Sequence, residues 1–242
     1  MSFWGYMTAL SILAGLILVH EIGHYVAARR AGIAVPEFSL GFGPRLCSFQ
    51  ARGTAWTVRA IPLLGYCRFA EEGVDGWDLA SLSARARVML AGPIANLLLF
   101  VLLLPVAARL AGLPWAHVPA TTASWGSIIM SDWVEGIGQL MQGRVSEVSG
   151  PVAIAATTAQ VARSGGLYLT QLVARLSLNL ALVNLLPLPI FDGGRLRMLA
   201  LEWVRGRRLR AEVEGWILSG SAVVMLVLAV LLVAKDVVTL VG

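Results

Sequence analysis

The chain has 242 residues, of which 57% are hydrophobic and 14% charged, with a mean hydropathy of +0.76. That balance excludes an ordinary soluble domain and makes a protein with several membrane spans the default. The net charge of +5 would suit nucleic acid, but the arginines sit in loops between apolar segments, where they set topology, so no nucleic-acid partner is expected.

An uncharged run from Phe3 to Val19 leads into His20-Glu21-Ile22-Gly23-His24. The segment Trp4–Ala28 is long enough to cross a bilayer, which takes about 20 residues. It carries no charged region of the kind that opens a signal peptide, so it reads as a retained first helix. The five residues spell HExxH. Histidines four apart on a helix stack on one face and can reach one metal ion, and the intervening glutamate can polarise a metal-bound water. Ionisable side chains within a span are costly and mark function by default.

Ile33–Phe69 is rich in glycine and β-formers and predicts short strands or a hairpin. Backbone groups cannot stay unpaired in lipid, so strands near the membrane must pair and line a site. An open edge there could accept an extended peptide as an added strand. Glu71, Glu72, Asp75 and Asp78 read as a solvated loop.

A second span is expected at Val88–Leu110, and apolar residues at 125, 128, 129, 133, 137, 140 and 141 predict an amphipathic helix over Trp125–Met141. The apolar segment Gly150–Ala162 is too short to cross. A third span is expected at Gly166–Leu186, and within it Arg175 is expected to snorkel outward along its stem, with pairing to a carboxylate as the alternative. A fourth span is expected at Trp216–Ala234. The fold class is thus an all-α polytopic membrane protein of about four transmembrane helices, with a short membrane-associated β-hairpin after the first.

Fourteen arginines lie in the two loops that follow spans one and three, against Arg109, Arg144 and Arg163 in the segment between spans two and three. Positive residues mark the cytoplasmic side, so both termini are expected outside it. The arginines at Arg205–Arg210 are placed to meet anionic headgroups. His20 lies about 16 residues into the first helix, or ~24 Å along it at 1.5 Å per residue. In a hydrocarbon core of about 30 Å, a metal there sits within roughly 10 Å of the cytoplasmic face. Cys47 and Cys67 fall on that reducing side, match no zinc spacing, and are expected to be buried structural thiols.

A catalytic zinc usually has three protein ligands and one open position. His117, the remaining histidine, is expected across the membrane from the other two. A carboxylate is needed at the cytoplasmic end of the first helix, and Asp192 qualifies. It follows Asn184-Leu185-Leu186-Pro187-Leu188-Pro189-Ile190-Phe191, where two prolines break the helix, and it precedes Gly193-Gly194. The alternative is that Asp192 caps the helix beginning near Arg195. The histidine pair makes the ligand the preferred reading.

With these motifs the chain resembles the site-2 protease family of intramembrane zinc metalloproteases. HEIGH matches the family's HExxH. NLLPLPIFDGG (Asn184–Gly194) matches its second motif, with Phe191 in place of the usual leucine. Ala91-Gly92-Pro93-Ile94-Ala95-Asn96 resembles its small-residue element, and Ser149-Gly150-Pro151-Val152-Ala153-Ile154-Ala155 resembles a stretch of the bacterial regulated-proteolysis branch.

The resemblance implies that His20, His24 and Asp192 bind zinc (Zn2+) and that Glu21 is the general base. It implies that Asn179 and Asn184 meet the substrate, although asparagines in a span serve equally as interhelical hydrogen-bond glue. Gly92, Pro93 and Asn96 read as packing residues. The branch usually carries PDZ domains between spans two and three, but Ala111–Gly165 leaves no room for one. One metalloprotease domain over 1–242, without a PDZ domain, is therefore expected.

The implied function is zinc-dependent cleavage of transmembrane segments in single-pass membrane proteins, such as anti-sigma factors or signal-peptide remnants. The implied location is the bacterial inner membrane, with the lipid bilayer as the other partner. A helix-binding pseudoprotease that has lost catalysis is one alternative, although a binder need not retain the glutamate. A metal transporter would show polar residues at several depths, whereas these candidates converge at one.

Overall fold

The computed structural model describes residues 3–70, 76–142, 151–161 and 164–241. Glu71, Glu72 and Asp75 of the acidic loop, Arg144, Arg163 and the Ser149-Gly150 pair lie outside the described residues. In chain order the elements are α1 (Phe3–Arg30), β1 (Glu37–Ala51), β2 (Thr54–Arg68) and α2 (Leu82–Leu110). A 3-10 turn at Trp115–His117 precedes α3 (Val118–Met141), α4 (Pro151–Val161), α5 (Gly166–Asn184), α6 (Asp192–Arg205) and α7 (Ala211–Val241).

Among the described residues, four helical stretches are long and apolar enough to cross a membrane: Met7–Arg30, Leu82–Leu110, Gly166–Asn184 and Glu212–Asp236. The helical fold with a hairpin after α1 agrees with the sequence reading, but each strand has 15 residues and the hairpin is not short. The amphipathic helix starts at Val118 rather than Trp125. Helix α2 starts at Leu82 rather than Val88, which brings Arg85 and Arg87 into it.

The chain divides into two compact units, and the division runs through α1, α2, α5 and α7. One comprises Met1–Ala9, Leu98–Asn179 and Val223–Gly242. Its buried side chains include Phe100, Leu104, Ile129, Ala159 and Leu178. Arg175 pairs with Asp132 at 2.7 Å, the alternative to the snorkelling expected of it, because a carboxylate lies within reach. The buried Asp236 of α7 accepts the Ala153 N–H at 2.9 Å, satisfying an otherwise orphaned donor in the first turn of α4.

The other unit, Leu10–Leu97 with Leu180–Ala222, holds the HExxH segment. Its core joins Ala28, Ile33, Val35, Val88, Met89 and Leu199, with Tyr25, Phe69 and Trp77 packed against them. The hairpin turns at Arg52-Gly53, both at positive φ (53° and 77°), the two-residue turn whose twist matches that of the flanking strands. Antiparallel pairing runs from Ala51 opposite Thr54 to Arg45 opposite Arg59. Glu37–Leu40 is paired on both sides, with Ala55–Val58 and with Gly65–Arg68. Among the described residues, Gly65–Arg68 pairs on that side alone and so forms an edge.

Two charge clusters brace this unit. Buried Glu37 accepts hydrogen bonds from the Tyr66 hydroxyl at 2.8 Å and Arg59 Nη2 at 3.1 Å, with Arg68 at 3.5 Å. Burial favours the neutral carboxyl, but those hydrogen bonds and the charges of Arg68 and Arg45 outweigh it and hold Glu37 below the usual carboxylate range. Near the start of α2, buried Arg85 pairs with buried Glu202 of α6 at 2.8 Å. The other oxygen of Glu202 accepts the Leu209 N–H at 3.1 Å. In the sequence Arg85 reads as one of the loop arginines that set topology, since its partner lies 117 residues away.

Candidate metal centre

His20 and His24 lie one turn apart on α1, with rings edge-to-face and centroids 4.8 Å apart. Both are buried, as is Glu21 between them. Helix α2 crosses them on its small residues. A Cβ on Gly23 would lie 2.9 Å from the Ala95 Cβ, and one on Gly92 would lie 2.7 Å from His24 Cε1 and 2.8 Å from His20 Cε1. Close approach of the two helices therefore needs the glycine of HEIGH and the glycine of AGPIAN.

Pro93 has no N–H to offer the Met89 carbonyl, which loosens the α2 ladder beside the histidines. One residue earlier, the Val88 carbonyl accepts the His24 Nδ1–H at 2.7 Å. That bond puts the His24 proton on Nδ1 and leaves Nε2 as a lone-pair donor. On the same face of α2, the Asn96 side-chain amide lies 3.4 Å from His20 Nδ1.

Asp192 is the first residue of α6, after Phe191 in an extended conformation. No side-chain capping bond is made at that helix start. Instead Asp192 Oδ2 lies 3.1 Å from His20 Nε2 and 3.2 Å from His24 Nε2. The following glycines are required by space, since a Cβ on Gly193 or Gly194 would run into the backbone of Leu185–Pro189. Burial raises the Asp192 carboxyl, but the two imidazoles beside it prevail and hold it down at about 2, ionised.

The three atoms fit a metal. His20 Nε2 and His24 Nε2 are themselves 3.1 Å apart. Ligand atoms about 2.0–2.1 Å from a tetrahedral zinc lie roughly 3.3 Å from one another, close to the separations seen here. Asp192 Oδ2 is buried and accepts no hydrogen bond of ordinary geometry, an orphan that a cation would satisfy. Among the described residues, His20, His24 and Asp192 form the only group of three such side chains with ligand atoms this close, and His117 is not part of it.

The remaining candidates fall elsewhere. Asn179 is exposed on α5. Asn184 donates its Nδ2–H to the Leu180 carbonyl of its own helix at 2.9 Å. Cys47 is exposed, contrary to the expected buried thiol, because it lies on the outer run of the hairpin. Cys67 does sit against the centre, its thiol donating to the Glu21 carbonyl at 3.3 Å, and burial pushes its pKa well above the usual thiol range, which keeps it protonated. Asn96 and Gly92, which the sequence presents as packing residues, pack against the histidines themselves. A fully buried asparagine in an apolar span was the available signal for the first of them.

Comparison with known proteins gives the family. The sequence model of Peptidase family M50 matches residues 8–228. The membrane metalloprotease ARASP of Arabidopsis thaliana chloroplasts is 28% identical over 359 positions, covering 99% of this chain and 80% of its own. The zinc metalloprotease RasP of Geobacillus kaustophilus is 25% identical over 397 positions, covering 90% and 94%. Both alignments are longer than the chain itself, so these relatives carry inserted sequence that it lacks. Matched by the family across nearly its whole length and built around four apolar helices, the chain belongs to peptidase family M50, the site-2 proteases, and is an integral-membrane zinc metalloprotease.

Proposed function

We propose that His20, His24 and Asp192 hold a zinc ion and that Glu21 is the general base for hydrolysis of peptide bonds in membrane-embedded substrates. The observation that carries this reading is the mutual approach of three ligand atoms at 3.1–3.2 Å around the HExxH glutamate. When bound, zinc supplies Lewis-acid polarisation of the scissile carbonyl and lowers the pKa of water at the site toward about 7. Glu21 takes a proton from the attacking water on its carboxylate and delivers it to the leaving amine nitrogen. Val88 holds the His24 ring through Nδ1, so the ligand set keeps its orientation while the substrate moves.

The substrate must be extended at the scissile bond, because a helix hides its carbonyls in hydrogen bonds. The Gly65–Arg68 edge supports strand addition there, since Gly65 lies against Glu21: a Cβ on it would come within 2.8 Å of Glu21 Cγ. Asn184, eight residues before Asp192, and Asn179 on the same helix are the proposed polar contacts to the unwound segment. The substrates are single-pass membrane proteins, with anti-sigma factors and signal-peptide remnants as the family's example classes. The site lies near the cytoplasmic face of a bacterial inner membrane, with both termini outside the cytoplasm, as the arginine distribution supports.

The test is cleavage of a single-span peptide by the purified protein in lipid vesicles. Wild type with zinc should cut it, a chelator should stop cleavage, and Glu21→Gln should keep zinc yet lose about 10²–10⁴ in rate. A Glu21→Gln protein cutting at the wild-type rate would exclude this mechanism. Bound zinc with no cleavage of any membrane peptide would favour a helix-binding scaffold.

A further inference from the structure

Residues 88, 92 and 96 of α2 recur every four positions and so share one face of the helix. Against His20 and His24 of α1 that face presents a carbonyl, a gap and an amide. The Val88 carbonyl meets His24 Nδ1 at 2.7 Å, Gly92 makes room for both rings, and the Asn96 amide meets His20 Nδ1 at 3.4 Å. Asn96 is fully buried. Both Nε2 atoms lie beside Asp192 Oδ2, at 3.1 and 3.2 Å.

This arrangement constrains which atom Asn96 offers. A neutral imidazole carries its proton on one nitrogen only. If the Asn96 Nδ2–H donates to His20 Nδ1, the His20 proton must sit on Nε2, where it would block the lone pair the metal needs. The terminal torsion of asparagine is close to two-fold, so turning the amide over exchanges its ends within the same volume. Oδ1 then accepts the Nδ1–H, and His20 takes the tautomer that Val88 already imposes on His24.

We propose that Asn96 is a positioning residue of the metal centre: its carbonyl oxygen accepts the His20 Nδ1–H and so holds Nε2 free for zinc. This inference rests on the zinc reading of His20, His24 and Asp192. It makes α2 a single outer support for both imidazoles, with a backbone acceptor for one and a side-chain acceptor for the other. Outer acceptors of this kind fix ring orientation and raise ligand basicity, and their loss typically costs about 10–100-fold in metal affinity.

The test is zinc affinity of the detergent-purified full chain, measured by chelator competition for wild type, Asn96→Leu and Asn96→Asp. Cobalt(II) spectra report the ligand field, and thermal unfolding of the metal-free proteins reports packing. Leucine keeps the branched four-atom outline of asparagine but accepts nothing, whereas aspartate keeps the acceptor. The leucine variant should bind zinc about 10–100-fold more weakly with an altered cobalt spectrum, while the aspartate variant stays near wild type. If the leucine variant does not fold, Asn96→Ala removes the acceptor without bulk and is expected to lose affinity likewise. Wild-type affinity in a folded leucine or alanine variant would overturn the role of Asn96 and leave the zinc site standing. Equal loss in the aspartate variant would overturn it too, since packing alone would then explain the effect. A wild type that binds no zinc would instead remove the reading on which the inference rests.

Discussion

His20 and His24 reach the same point because α2 places no side chain between them. Gly92 lies where a single methyl would strike both rings, 2.7 Å from one Cε1 and 2.8 Å from the other. Gly92→Ala is therefore expected to push the imidazoles apart and weaken zinc binding by roughly tenfold or more, the scale of losing an outer support. Overpacking of this kind costs about 1–3 kcal/mol in stability, so the protein should still fold. Zinc titration beside a thermal melt separates the two effects, and unaltered zinc binding would show that the rings tolerate the methyl. At this scale the two histidines and Glu21 were legible from spacing alone, because four residues is one helical turn. Asp192 was legible only as one of two choices, a ligand or a cap. In the structure α6 starts without a side-chain cap and Asp192 lies beside both imidazoles, which supports the ligand choice.

Among the elements, the apolar helices were readable because about 20 apolar residues leave few other folds open. Their ends were not, since Arg85 looks like a loop arginine until Glu202 appears beside it. That buried pair ties α2, which carries Gly92 and Asn96, to α6, which carries Asp192. Glu202→Ala strands the Arg85 charge and should cost about 3–5 kcal/mol in detergent unfolding, whereas replacing both partners by apolar residues should recover much of it. Equal losses in the single and double variants would contradict this account. The hairpin depends on Glu37 in a pH-dependent way. Its folded pKa is lowered, so its contribution is complete above the unfolded value of about 4.3 and fades as pH falls through the folded one. Glu37→Gln should be less stable than wild type at neutral pH by roughly 1–2 kcal/mol, with the gap closing in acid. A gap independent of pH would place the effect in packing rather than charge. The pairing of Glu37–Leu40 on both sides was not legible, because glycine-rich strands specify register weakly.

For the whole molecule, the arginine asymmetry makes a topology claim. With Cys47 and Cys67 replaced, Ser124→Cys should react with a membrane-impermeant maleimide from the outer side of right-side-out vesicles. Arg207→Cys should react only after lysis; the reverse pattern would invert the orientation and put the metal near the outer face. The shortness of Ala111–Gly165 makes a second claim, that no folded domain screens substrate size on the outer side. Substrates differing only in the bulk of their outer domain should then be cut at similar rates, and a steep loss with size would contradict it. Both claims matter only if the molecule holds its metal at one centre. The deciding measurement is metal content of the detergent-purified protein beside Asp192→Asn, since Asp192 is the one proposed ligand from outside α1. About one zinc per wild-type chain, weakened or lost in the variant, is the predicted result. A folded wild type that takes up no zinc, even from added metal, would contradict the account at its centre.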